Sequence, residues 1–548
     1  MAGVATVLDQ NFPRQTARKA IFDDYRTRGL WGQRSFNQVL DEACQGRWPE
    51  SRFVVASKER PADLSYRELH ERGLRLAGAL HALGLRKGDV LAMEMPNWIE
   101  GCITYHACTA LGVIVVPIIH IYQAKEVGFI LRQSGAKVFM CPETTMGIDY
   151  LSIAAAVRPE CPALEHVVVV GENTPDDCLA FADLEARGTT AFPRPEVSPD
   201  EPHILAYTSG TTQDPKGVVH SHNTLFSELR AVVAASGGDE TDVFMSPNPI
   251  GHIAGIYSAL IAPFLCGYEK LVLVDGFDPG YMLDLIVEHH VTRSGGAPIF
   301  MQVMINDPKF NEVDTSSLKL FGVGGANVSP QLIEQAASIG WWSFRSYGCT
   351  EHPSITMGTL DDPLVKRAHT DGRPMLDVEI RLVDDDDNDV PRGEPGEILS
   401  RGPDLFLGYM DPAMDADVFT EDGWFRTGDI GVMDADGYIT ITDRKKDIII
   451  RGGENISARE VEEVLARHPK IAQAAVTPVS DAKYGEKVCA FVVPAGDESP
   501  TLDEVLAHFK AEGVAKQKTP ERLEIVESLP TTLQGKVKKY ELRRSVER

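Results

Sequence analysis

Leucine and alanine recur at helical spacing through "LSYRELHERGLRLAGALHALGL", residues 64–85. That period lines one face of a helix and predicts an amphipathic one. The period then changes. "DVLAMEMP" reads as a buried strand, and "GVIVVPI" (112–118), "AKVFMC" (136–141) and "HVVVVG" (166–171) predict three more, with helical patterns in the gaps. Apolar strands alternating with helices predict parallel α/β sheets covered on both faces. The most apolar stretch, Cys102 to Ile119, contains Thr104, His106, Thr109 and Pro117. It reads as a helix followed by a buried strand rather than as a membrane span.

Residues 172–203 are rich in Pro, Asp and Glu and predict a surface connection. After them "HILAY" and "VVHSHNTLFSELRAVVAA" flank a polar loop, giving strand, loop and helix. "KLFGVGGANVSPQLIEQAA" (319–337) repeats that layout, with Ser329 placed to cap the helix and Pro330 at its first position. Past residue 443 the texture becomes charged, then apolar, then glycine-rich. Ser457 and Glu460 form a capping-box pattern ahead of Val461, Val464 and Leu465 on one helix side. Strands near 471–478 and 487–493, a helix near 502–511 and a basic tail complete a compact α+β module. The expected fold class is therefore α/β: a large N-terminal domain of stacked, mostly parallel sheets (1–442), a charged hinge (443–447) and a small mobile α+β C-terminal domain (448–548).

A chain of 548 residues is long for one core and supports this division. A net charge of −26 argues against a general nucleic-acid binder. The nine cysteines contain no Cys-x-x-Cys pair and fit a reducing compartment. Cys102, His106 and Cys108 lie inside an apolar run and read as packing rather than as a zinc site. The acidic run Asp384–Asp389 lacks the glycine and distal glutamate of a calcium loop and reads as a solvated turn. "MAGVATVLDQNFPRQ" has no apolar signal core, so a cytoplasmic protein is expected.

The candidate chemistry begins at "YTSGTTQDPKGVVHSH", 207–222. Thr208, Ser209, Thr211 and Thr212 supply hydroxyls, Gly210 and Gly217 let backbone N–H groups approach, and Lys216 supplies charge: a cradle for a polyanion. It is not a Walker A loop, because Pro215 precedes Lys216 and Gly217 follows it. Ser209 lacks the preceding glycine of a nucleophile elbow. "SYGCTE" sets Tyr347 beside Gly348, then Thr350 and Glu351; an aromatic ring can cover a purine and a carboxylate can hold Mg²⁺. "WFRTGD" ends in Asp429, suited to ribose hydroxyls; Arg444 follows fifteen residues on, and Lys536 lies after a glycine near the C-terminus.

These motifs, in this order, resemble the adenylate-forming superfamily: acyl-CoA synthetases, firefly luciferase and the adenylation domains of peptide synthetases. Within it the chain is most similar to bacterial fatty-acid and alicyclic-acid CoA ligases, from about residue 60 to about 540. The resemblance implies ATP, Mg²⁺ and coenzyme A, and roles for individual residues. Thr208 to Thr212 with Lys216 would hold the β- and γ-phosphates, and Gly325, Ala326, Asn327 and Tyr347 the adenine. Gly348 would belong to the same ATP-binding set, and Thr350 would contact the α-phosphate; Glu351 with Thr208 would hold Mg²⁺; Asp429 and Arg444 would bind ribose. Lys446 matches the hinge, Lys536 the lysine bridging the carboxylate and the α-phosphate, and Gly452-Gly453 the turn lining the thiol path. Two positions depart from the family pattern: Gln213 stands at a usual glycine, and Gln534 at the usual serine two residues before Lys536.

"NPIGHIAG" (248–255) falls where the family's acyl pocket begins. His252 with Ile250, Ile253 and Ile256, and no carboxylate to meet an ammonium, predict an apolar monocarboxylate. His252 either gates the pocket, assists the thiol or packs. The expected activity is an acid–CoA ligase working through acyl-AMP. The alternatives are an acyl-AMP ligase that loads a carrier protein, and a turnover-deficient nucleotide- or acyl-binding homologue. A long acid would bring peripheral membrane contact within reach, and homodimers are common among relatives.

Overall fold

In the computed structural model, which describes residues 13–208, 215–451, 454–481, 483–496, 498–512, 514–532 and 535–546, the first long amphipathic pattern is the helix Tyr66–Ala82. Ser65 caps it: the hydroxyl accepts from Glu68 N, and the Glu68 carboxylate accepts from Ser65 N at 2.7 Å. The apolar run at 102–119 is the helix Ile99–Leu111 followed by the strand Ile114–Ile118. Every residue of that helix is buried, which is why its pattern lacks a polar face. Gly73 allows the two helices to touch, since a Cβ there would lie 2.4 Å from His106 Cβ.

Both helices lie between two large sheets, and one core contains Phe53 and Leu271 of one sheet with Leu91 and Val115 of the other. The eight-stranded sheet contains the predicted strands Val90–Glu94, Ile114–Ile118, Val138–Pro142 and His166–Val170, all parallel. It continues through Pro202–Thr208 to the antiparallel strands Lys216–Ser221 and Gly408–Tyr409. The nine-stranded sheet includes Leu320–Gly324 parallel to Trp342–Tyr347. Ser329 caps the following helix and Pro330 opens it, as the pattern predicts. The segment 172–203 is more than a connection: it forms the helix Phe181–Arg187, which buries Phe181 and Leu184.

The sequence pattern does not reveal the four-stranded antiparallel sheet Glu379–Val383, Pro395–Arg401, Phe425–Met433 and Ile439–Arg444. Phe425–Met433 and Ile439–Arg444 mix buried with half-buried positions, and Pro395–Arg401 buries Glu397 and Ser400 among its apolar residues, so no clean apolar period stands out. The acidic run turns between two of these strands, with Asp384 Oδ1 accepting from the backbone N–H of Asp386 and Asn388 at 2.9 Å. One buried ion pair fastens this sheet to the nine-stranded one. Arg345 donates to Asp371 Oδ1 at 2.6 Å, and Asp371 Oδ2 accepts from Ile441 N at 2.8 Å.

The C-terminal part has its own core, built on Val461, Val464, Leu465, Val488, Val505 and Phe509. Its strands Ile471–Asp481 and Gly485–Pro494 and its helix Leu502–Ala511 fall where the sequence predicts. Only half of the expected capping box forms. Ser457 accepts from Glu460 N at 3.1 Å, but the Glu460 carboxylate turns to Lys518 at 2.7 Å. Among the described residues no helix is long and apolar enough to cross a membrane.

Candidate active site

The hairpin that begins the site pairs Thr208 directly with Lys216. Two groups eight positions apart are thereby brought side by side at the mouth of one cavity of about 2650 Å³. Its intervening residues Ser209, Gly210, Thr211, Thr212 and Gln213 lie outside the described residues, as do Gly452, Gly453 and Gln534. The next strand of the sheet brings Tyr409 against this hairpin, with the Lys216 ammonium 5.1 Å from its ring centroid. The Tyr409 hydroxyl donates to Glu351 Oε1 at 2.7 Å, so the phenol orients the carboxylate proposed for metal binding.

Gly325, Ala326 and Asn327 follow the strand Leu320–Gly324, and Tyr347 and Gly348 end the neighbouring parallel strand. All five line the cavity at the carboxyl ends of adjacent strands, the usual ligand position in such sheets. Gly325 has φ +79°, a left-handed conformation that favours glycine. Gly348 is required for another reason: a Cβ would lie 1.9 Å from the Pro353 carbonyl oxygen. We expect Gly348→Ala to displace the Thr350–Glu351 turn and lower adenylation by at least tenfold in a pyrophosphate-release assay, with the fold retained by circular dichroism.

Asp429 and Arg444 are register partners on adjacent antiparallel strands and form an ion pair at 2.9 Å. The other Asp429 oxygen accepts from the Tyr347 hydroxyl at 2.7 Å. The proposed adenine and ribose groups are thus already joined, which fixes the plane of the tyrosine ring. Lys536 and Lys446 belong to the same constellation. Burial first, and the Arg444 charge second, lower the Lys536 ammonium to about 8. The same two causes lower Lys446, with Lys216 adding to them. Cations gathered at one cavity repel each other, and a polyphosphate would relieve that repulsion.

His252 lines the cavity, half-buried, and its Nδ1 accepts from Ala254 N at 3.2 Å. Burial lowers its pKa to about 4, so at neutral pH it offers a neutral Nε2–H rather than an imidazolium. Ile253 lines the cavity, but Ile250 and Ile256 pack into the core against the 99–111 helix and its neighbours. The isoleucine pattern reports burial, not which side of the backbone faces the substrate. Farther in, the wall is made by Leu229, Val232, Phe244, Tyr257, Phe300 and Phe344.

A buried polar network supports the Thr350–Glu351 turn from beneath, and sequence inspection does not reveal it. His220 Nε2 donates to the Thr350 carbonyl at 2.8 Å, a tautomer fixed by the acceptor. His352 is held by Ser400 at 2.8 Å and by Asp404 at 3.1 Å. Glu228 accepts from Ser354 at 2.6 Å, and burial followed by Asp404 raises its pKa well above the usual carboxylate range. Only the clustering of His220 and His222 after Lys216 hints at this network in the sequence.

Residues 40–410 match the AMP-binding enzyme family, and residues 460–536 its C-terminal domain. The medium-chain fatty-acid–CoA ligase of Escherichia coli (strain K12) is 36% identical, with 96% of this chain and 92% of that protein aligned. The 2,3-dihydroxybenzoate-AMP ligase of Bacillus subtilis (strain 168) is 31% identical, with 96% of each chain aligned. The structure of ATP-bound MatB from Rhodopseudomonas palustris superposes with a TM-score of 0.83 at 27% identity, covering 93% of this chain and 99% of that one. With a family model spanning more than half of the chain and these relatives along nearly all of it, the chain belongs to the AMP-binding enzyme family and is an adenylate-forming enzyme of the acyl-CoA synthetase kind.

Proposed function

We propose that the chain is an ATP-dependent acid–CoA ligase for apolar monocarboxylates, fatty or cyclic. The observation that carries this reading is one cavity lined both by Lys216, Glu351, Asp429 and Lys536 and by an apolar wall of Leu229, Val232 and Phe244. In the first half-reaction a carboxylate oxygen bonds to the α-phosphorus of ATP, the Pα–O bond to the β-phosphate breaks, and pyrophosphate leaves. In the second, the CoA thiolate bonds to the acyl carbon and AMP leaves. A carboxylate alone has no usable leaving group; the mixed anhydride supplies one.

Lys216 would neutralise charge on the β- and γ-phosphates, and Lys536 would bridge the carboxylate and the α-phosphate, where charge develops. Asp429 and Arg444 would hold ribose, Tyr347 would cover adenine, and the 325–327 turn would close over it. Glu351 and Thr208 offer the hard oxygens that suit Mg²⁺, which supplies charge neutralisation when bound with the phosphates. The charged segment 443–447 would act as the hinge between the domains, so that the C-terminal module exchanges Lys536 for the Gly452-Gly453 turn between half-reactions. A hydroxylated aryl acid, such as the one in the name of the Bacillus subtilis relative, would need polar partners for its ring hydroxyls; the wall of Leu229, Val232, Phe244, Phe300 and Phe344 supports an apolar acyl group instead.

The ammonium form of Lys536 is the active one in this scheme. Its pKa near 8 means that the cation is lost as pH rises through that value. We therefore expect kcat/KM for acyl-AMP formation to fall above pH 8 and to be flat below it until carboxylates titrate. A profile without that alkaline limb would remove Lys536 from this role. The substrate reading is tested by pyrophosphate release across short, medium, long and cyclic acids, with and without CoA, and mass analysis of the product. Preference for a hydroxylated aryl or an amino acid, or a product found only on a carrier protein, would contradict it.

A further inference from the structure

Three soft donors converge away from the cavity, in the layer of helices between the sheets. Cys44 lies on a π-helical turn, Glu42–Arg47; His70 is on the helix Tyr66–Ala82; and His106 is on the helix Ile99–Leu111. None is more than 1% exposed, and one ligating atom from each lies within 4.8 Å of the others. We propose that Cys44, His70 and His106 form a buried site for a soft d¹⁰ cation, Cu(I) or Zn(II), that staples these three helices together.

The hydrogen bonding prepares the donors. His70 Nε2 lies 2.9 Å from Asp41 Oδ1, and Arg194 grips both oxygens of that carboxylate at 3.0 and 2.9 Å. A carboxylate paired to arginine accepts, so the His70 proton is on Nε2 and the Nδ1 lone pair points inward. Such an outer carboxylate is the usual device for orienting a metal-bound histidine. The two Nδ1 atoms are 3.3 Å apart. Nitrogens bound at about 2.1 Å and separated by that distance subtend about 105° at a shared ion, an ordinary chelate angle. Gly73 holds the second and third helices close enough for the two rings to meet.

Without an ion, His106 Nδ1–H donates to His70 Nδ1; binding moves that proton to His106 Nε2, which has no hydrogen-bond partner among the described residues, and releases one proton, from the Cys44 thiol. The thiolate then cancels the charge of Cu(I) entirely, whereas Zn(II) leaves a net positive charge in a dry site and takes a fourth donor; charge balance favours Cu(I). The donors come from three separate helices, so the unfolded chain has no preformed site and binding couples to folding.

The test uses the full-length, reduced, metal-free protein, titrated anaerobically with Cu(I) against a chromophoric chelator, and separately with Zn(II). We expect one equivalent to be retained in at least one arm, one proton released, a raised thermal midpoint, and an X-ray absorption spectrum with one sulfur and two nitrogens around the ion. Cys44→Ser and His70→Gln should weaken retention at least tenfold, while Cys178→Ser, at a half-buried thiol elsewhere, should not. Equal uptake by wild type and Cys44→Ser, or no ion retained in either arm, would overturn the site. If the variants do not fold, the wild-type spectrum decides: a shell of two or more sulfurs would overturn it.

Discussion

Replacing Lys536 with alanine should reduce acyl-AMP formation by about 10²–10³-fold, the usual cost of removing one charge-stabilising donor from a transition state. The same variant should still convert supplied acyl-AMP and CoA to the thioester at a rate close to that of wild type. The asymmetry follows from chemistry. The Lys536 ammonium feels the charges of Arg444 and Asp429, at the end of the cavity assigned to the nucleotide, where charge develops as the carboxylate attacks and pyrophosphate departs. Its depressed pKa marks a cation held out of water among other cations, waiting for anionic charge. Thioester formation also adds a negative charge to the AMP phosphate as the acyl C–O bond breaks, but in the proposed hinge exchange Lys536 has by then given way to Gly452-Gly453 and does not face that charge. Separate assays of pyrophosphate release and of acyl-AMP consumption check this; equal losses in both halves would remove Lys536 from the adenylation step.

The largest stability effect is expected at Asp371. Asp371→Ala should lower unfolding stability by about 3–5 kcal/mol, because it strands a buried guanidinium. Arg345 is 3% exposed along its side chain and Asp371 9%, so solvent gives little relief. The same substitution removes the acceptor of Ile441 N, which ties the antiparallel sheet carrying Asp429 and Arg444 to the sheet carrying Tyr347. We therefore expect a higher KM for ATP at temperatures where the variant is still folded. Denaturant unfolding and ATP titrations measure both. A midpoint shift worth less than about 1 kcal/mol would show that the pair is not structurally important.

What the sequence discloses, and what it withholds, follows from the range of the interactions. Helical and strand periods are local, so the helix at 66–82, the strands at 90–94 and 138–142 and the helix at 502–511 are legible from the order of apolar positions. The motifs around Lys216, Tyr347 and Asp429 are legible because each gathers several unusual residues within a few positions. Tyr409 is not legible: its partnership with Glu351 depends on a two-residue strand pairing with Val218 and Val219. Glu228 looks like a surface residue of an amphipathic helix, yet its partner Ser354 is 126 positions away. The inward and outward faces of the "NPIGHIAG" turn were equally hidden, since Ile250 and Ile253 are alike in character and differ only in what backbone geometry sets opposite them.

The central proposed step is the conversion of a carboxylate to a mixed anhydride with AMP inside the cavity shared by Lys216 and Lys536. The most direct measurement is mass analysis of the products from Mg·ATP and an apolar acid in the absence of CoA. The expected products are pyrophosphate and an enzyme-held acyl-AMP, discharged to acyl-CoA and AMP when CoA is added. Formation of ADP and phosphate, or no nucleotide turnover with any acid in the series, would contradict that step.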